Sequence, residues 1–152
     1  MAEIVNKKAG FDYFLTEKTE AGIVLTGSEV KSVRASAGSL VDAYVKITDS
    51  EAFLVNAYIS PYKYAIDPSY DPRRNRKLLL NKAEIEFFFG KLALGNLTIV
   101  PTKMYTNHNL VKLEVALGTP KKKADKRDTL KKKVLQREIE GYFRADKLKS
   151  SK

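Results

Sequence analysis

The chain has 152 residues, 43% hydrophobic and 10% aromatic, which is enough for one domain with a real core plus an appendage. It has no cysteine, which excludes disulfides, thiolate chemistry and cysteine-based zinc sites. No apolar run is long enough to cross a bilayer and Met1–Lys8 lacks the apolar stretch of a secretory signal, so a soluble, cytoplasmic chain with no membrane partner is expected; its net charge of +10 points to a polyanion.

In chain order, Phe11–Leu15 reads as a short aromatic strand and Ala21–Gly27 as a second, after a polar turn. Ser28 is placed to cap a short helix whose Val30 and Val33 share a face. Tyr44–Ile47 and Ala52–Ile59, joined by Thr48-Asp49-Ser50, read as a hairpin. Leu78–Phe89 has helical spacing with Gly90 placed to stop it, and Asn81, three residues before Glu84, marks an alternative start. Leu97–Tyr105 and Leu110–Leu117, turned at Asn107-His108-Asn109, read as another hairpin, in which Pro101 must mark an edge or a bulge. Half-apolar strands with few, short helices predict a mainly β fold, a small closed six-stranded barrel over residues 1–119.

Residues 120–152 differ in kind. Residues 1–119 hold 15 Lys and Arg against 13 Asp and Glu, whereas 120–152 hold 13 against 5. Asp128 is a candidate helix cap, and beyond it Leu135, Ile139, Tyr142 and Phe143 share one face. A lone helix this short is marginal in water, so a basic C-terminal tail is expected that is disordered when free and helical when bound. Packing of its apolar residues on the barrel is the other reading.

Catalysis finds little support. The one histidine, His108, falls in an apparent turn, and no phosphate loop, metal-ligand cluster or nucleophile set can be assembled, so no enzyme, cofactor or metal is expected. Asp71-Pro72-Arg73-Arg74-Asn75-Arg76-Lys77 concentrates four cations beside a turn. Such a cluster is either a phosphate clamp or a loop that satisfies itself. Tyr58, Tyr62, Tyr64 and Tyr70 nearby are either base platforms or core.

Several blocks carry a resemblance. Glu20–Arg34 (EAGIVLTGSEVKSVR), Val55–Tyr62 (VNAYISPY), Asp71–Asn81 (DPRRNRKLLLN) and Asp125-Lys126-Arg127 occur in the order found in the small protein B family, which binds transfer-messenger RNA (SsrA). Together they resemble that family over most of residues 6–135. The resemblance implies an embedded oligonucleotide-binding (OB) fold that grips the tRNA-like domain of that RNA. It also implies delivery of the aminoacylated RNA with elongation factor Tu to stalled ribosomes, the tail occupying the empty mRNA channel near the decoding centre. By matching position it implies RNA-binding roles for Asn6, Glu20 and Leu79. Lys7 and the cluster Arg73, Arg74, Arg76 and Lys77 complete the expected RNA-binding set. Leu79 would contact a base or support its loop from beneath, the second being preferred. Gly118, Lys121, Lys122, Lys123, Asp125, Lys126 and Arg127 would face the ribosome, with Leu135, Tyr142 and Phe143 on the tail helix.

The chain departs from the family at Ala124, where His or Tyr is frequent, at Leu135, where an aromatic is frequent, and at Tyr142-Phe143, where aliphatics are familiar. A monomer is expected. The main alternative is another barrel-type ribosomal or initiation-factor-like protein binding rRNA, and a third reading is a membrane-surface adaptor using the basic amphipathic tail.

Overall fold

Alternating apolar and polar residues build the first of two units, Met1–Pro120 and Lys121–Lys152. The computed structural model describes residues 2–64 and 67–133 of the chain. The first unit runs β1 (Glu3–Val5), α1 (Lys7–Asp12), β2 (Tyr13–Ile23), α2 (Gly27–Arg34), β3 (Gly38–Ser39), β4 (Tyr44–Thr48), β5 (Glu51–Val55) and β6 (Tyr58–Ile59). β7 (Arg76–Leu79), α3 (Lys82–Leu92), β8 (Thr98–Asn107) and β9 (Leu110–Pro120) complete it. The main sheet has the antiparallel order β1-β8-β4-β5-β7-β2-β9, and β9 also pairs with β8. The fold is mainly β with short helices, in an OB-like order.

Both expected hairpins form. Asp49 and Ser50 turn β4 into β5 with φ of 51° and 62°, and His108 and Asn109 turn β8 into β9 with φ of 48° and 67°. The β8–β9 register shifts between Pro101 and Lys103, a bulge at the proline that cannot donate. The second hairpin arm is shorter than Ala52–Ile59, because Asn56 at φ 65° breaks it and Tyr58–Ile59 pairs instead with β3.

Other boundaries move for local reasons. Asn6 caps α1 by accepting from the Ala9 N–H, so Phe11 and Asp12 are helical rather than strand. The expected turn between Phe11–Leu15 and Ala21–Gly27 is not a turn. β2 runs through it, and a register shift between Thr16 and Thr19, with Glu17 at φ 53°, absorbs the extra residues. Thr26, not Ser28, caps α2, in a reciprocal box with Glu29. Leu78 and Leu79 belong to a strand, since Arg76 and Leu78 point inward while Lys77 and Leu79 point out. α3 accordingly starts after Asn81, the alternative cap, and runs past Gly90 to Leu92.

The interior is filled from the strands and from two helices. Ala21, Leu54, Leu78, Ile99, Met104, Leu113 and Val115 form its strand-borne part, with Val33 of α2 and Phe88 of α3 packed in. Each such large side chain contributes about 1.5–3 kcal/mol through burial. Among the described residues of the second unit, 123–133 are helical. That start precedes the expected cap Asp128, because the Asp125 carboxylate accepts from the Lys122 N–H at 3.2 Å and fixes the first turn. Leu135, Tyr142 and Phe143 lie outside the described residues. Among the described residues no helix is long and apolar enough to cross a membrane.

Candidate nucleic-acid interface

Partners across an antiparallel ladder point to the same face. Leu79, Gly22, Lys112, Tyr105 and Glu3 therefore form one outward rung across β7, β2, β9, β8 and β1. Glu20, Glu114, Lys103 and Val5 form the next. Two of the residues expected to bind RNA, Glu20 and Leu79, thus come together on one outer surface although 59 positions separate them.

Gly22 makes the arrangement possible. A Cβ on it would lie 3.1 Å from Leu79 Cβ and 3.3 Å from Leu79 Cδ1, so the bare backbone is the floor on which Leu79 rests. Leu79 is 58% exposed there. It lies on the outer face of the sheet, resting on the backbone of β2.

Glu20 and Glu114 face each other across β2 and β9, an arrangement of like charges that costs stability unless offset. Lys103 sits 3.4 Å from Glu114 and 5.5 Å above the Tyr105 ring. The Tyr105 hydroxyl donates to Glu20 Oε2. Burial, that hydrogen bond and the charges of Glu20 and Glu114 push the Tyr105 phenol up to about 12. It stays a donor at neutral pH and holds the exposed Glu20 carboxylate in one orientation, with acceptor capacity left for base amino or 2′-hydroxyl groups. Tyr105, Lys103 and Lys112 were not singled out from the sequence. The signal was there in the alternation of Lys103 with Tyr105 and of Lys112 with Glu114, once the turn at 108–109 fixes the register.

The four-cation cluster divides. Arg76 is fully buried. Its Nε donates to Glu29 Oε2 at 2.7 Å, Nη1 to the Ala57 carbonyl at 2.9 Å, and Nη2 to the Pro72 carbonyl and the Tyr70 hydroxyl. Arg74 clasps the same carboxylate through Nη2 and Nε. Arg73 bonds the Asn56 carbonyl at 3.1 Å and lies over the Tyr58 ring. Glu29 is 1% exposed, and burial alone would raise its pKa. Hydrogen bonds from Arg74, the Thr26 backbone and Arg76, with the Arg76 charge, overcome that and hold it at about 2. Of the two readings left open, Arg76 and most of Arg74 follow the self-satisfied loop: Arg76 has no surface to offer a phosphate. Lys77 is outward, 3.3 Å from Glu51.

Asn6 is also interior. Its Nδ2 donates to the Leu40 and Pro101 carbonyls at 3.1 and 2.9 Å, tying the start of α1 to the β8 bulge. Lys7 is exposed beside it. Gly118 lies within β9, not in the tail, where a Cβ would meet the Tyr13 ring at 3.0 Å. In the second unit, Lys121 Nζ donates to the Thr129 hydroxyl at 2.9 Å. Lys122, Lys123 and Arg127 are exposed, and Asp125 and Lys126 half-buried. No group of three or more metal-binding side chains occurs among the described residues.

Comparisons with known proteins show the family. The family model described as "SmpB protein" matches residues 3–145. The chain is 52% identical over 139 residues to the SsrA-binding protein of Sulfurihydrogenibium sp. (strain YO3AOP1), covering 91% of each. It is 47% identical to that of Pelobacter propionicus, covering 88% of each, and 45% identical to that of Lysinibacillus sphaericus, covering 92% of this chain and 90% of the other. A solved structure described as "tmRNA-SmpB: a journey to the center of the bacterial ribosome" superposes with a TM-score of 0.69 at 37% identity, covering 86% of this chain and 95% of that one.

Proposed function

The chain belongs to the SmpB family of SsrA-binding proteins, and from that premise we propose that it is a non-catalytic RNA-binding protein that binds the tRNA-like domain of transfer-messenger RNA and brings it to stalled ribosomes for trans-translation. The observation that carries the RNA-binding role is the outward surface on which Glu20, held by Tyr105, lies beside Leu79 on its Gly22 floor. A carboxylate oriented at a surface reads base edges and 2′-hydroxyls rather than phosphates, so it suits a folded RNA of defined shape. Lys103 and Lys112 on the same rungs, with Lys77 and Lys7 nearer the edges, supply the phosphate attraction. Asn6 and Arg76 act through position, by holding α1 and the 71–76 loop.

The cyclic pairing β8-β4-β5-β7-β2-β9-β8 supports a small closed barrel with an embedded OB-like fold. The tail from residue 120 onward supplies the second activity. Its basic residues occupy the empty mRNA channel near the decoding centre, with the charge of 120–152 as support. The protein acts as a cytoplasmic monomer together with elongation factor Tu. Sequencing of RNA copurified with the full chain from cells tests this directly. One dominant species with a tRNA-like end is expected, and a predominance of ribosomal RNA fragments would overturn it.

A further inference from the structure

The structure splits the four clustered tyrosines into two pairs. Tyr70 is spent internally, its hydroxyl accepting from Arg76 and placing its one proton between the Ile59 carbonyl at 2.9 Å and Glu29 Oε2 at 3.1 Å, and Tyr58 lies under Arg73. Tyr62 and Tyr64 are different. Their rings meet edge to face at 5.3 Å, and Tyr64 is 74% exposed. Lys31 of α2 stands 5.2 Å from the Tyr62 centroid, and Lys63 stands 4.9 Å from that of Tyr64. Beside Tyr62 opens a cleft of about 180 Å³, bordered by Thr26, Ser28, Ser60, Asp67 and Tyr70. None of these residues belongs to the rungs that carry Glu20 and Leu79.

An apolar core explains neither the exposure of Tyr64 nor the pairing of each ring with a cation. From this we infer a second RNA site, at which Tyr62 and Tyr64 stack unpaired bases and Lys31 and Lys63 receive the adjoining phosphates. A cation over an exposed ring is worth less than a stacked base, so an incoming base displaces the ammonium towards its own phosphate. Ser28, Ser60 and Asp67 at the cleft rim offer hydroxyl and carboxylate groups to a base edge. Asp67 already accepts from the Ser69 N–H and hydroxyl, which fixes it as an acceptor. The ligand class is single-stranded RNA. The inference rests on the reading of the partner as RNA but not on which RNA it is.

The probe is an unstructured oligouridylate of about ten nucleotides carrying a fluorescent end label, titrated with the full chain and followed by fluorescence anisotropy. Tyr62→Leu with Tyr64→Leu should weaken binding about tenfold or more, without changing the salt slope, because stacking releases no counterions. Tyr62→Phe with Tyr64→Phe should bind like the parent. Equal binding by the leucine pair, or equal loss in both pairs, would overturn the site. Photocrosslinking of a bromouridine-substituted oligonucleotide to the unaltered chain decides the matter without relying on the variants' folding: attachment at 62–64 supports the site, and attachment confined elsewhere overturns it. Failure of the chain to prefer transfer-messenger RNA over tRNA would instead count against the proposed function and leave this result standing.

Discussion

Arg76 and Glu29, 47 residues apart, meet in the interior through a 2.7 Å hydrogen bond from Nε to Oε2, both side chains essentially without exposure. Glu29 is also the third residue of α2 and accepts from the Thr26 N–H. One carboxylate thus joins the start of α2 to the 71–76 loop. A buried pair is weak evidence of net stabilisation, but removal of one member leaves the other charge without its partner.

Arg76→Ala is therefore expected to destabilise the chain by about 3–5 kcal/mol, seen as a lower urea midpoint, whereas Lys77→Ala on the outer face should change it little. An unaltered midpoint for Arg76→Ala would show that the pair does not hold the loop.

The same carboxylate sets an acid limit. The Glu29 pKa is depressed to about 2 from an ordinary 4.5, so its contribution is fully present above 4.5 and disappears as pH falls towards 2. The loss should be on the order of 3 kcal/mol across that window. Urea titrations at successive pH values check this, and Glu29→Gln should flatten the dependence between 4.5 and 2 while lowering stability at neutral pH.

Tyr105 gives the alkaline counterpart. Its raised pKa favours the neutral phenol in the fold, so the contribution is present below the ordinary 10.0 and is lost as pH rises towards 12. Tyr105→Phe should remove the late phenolate step from the ultraviolet titration. It should also weaken transfer-messenger RNA binding by roughly three- to tenfold. In a double-mutant cycle with Glu20→Gln the two losses should not add; strict additivity would mean that Tyr105 does not act through Glu20.

Salt dependence separates surface cations from buried ones. If Lys103 and Lys112 meet phosphates, replacing both with Ala should reduce the slope of log K against log salt by about 0.7–0.9 per contact. Arg76→Ala should leave the slope unchanged whatever it does to stability. A slope lowered by Arg76→Ala but not by the lysine pair would reverse the assignment made here.

Lys126→Ala with Arg127→Ala in the full chain should leave transfer-messenger RNA affinity within about twofold, since roughly 1.4 kcal/mol is needed for tenfold. Tagging on stalled ribosomes in a reconstituted translation reaction should fall more steeply. Normal tagging would remove the decoding-site role from the tail.

Composition, the basic bias of 120–152, the two hairpins with their turns at 49–50 and 108–109, the Pro101 bulge and the family blocks are all local or compositional signals. They are therefore legible in the chain itself. The boundaries that moved did so where a cap or a bulge competes with periodicity, at Asn6, Thr26, Glu17-Lys18 and Asp125, because one side-chain hydrogen bond there outweighs a pattern spread over several residues. What only the tertiary structure decided is which side of the surface each charge occupies. Arg73, Arg74, Arg76 and Lys77 are adjacent and chemically alike, yet the two-residue period of β7 and the carboxylate of Glu29 draw Arg76 inward and leave Lys77 outside. Glu20 and Leu79 became one surface, and Tyr105 the partner of Glu20, through ladder registers between residues far apart in the chain, a pairing that no local pattern encodes.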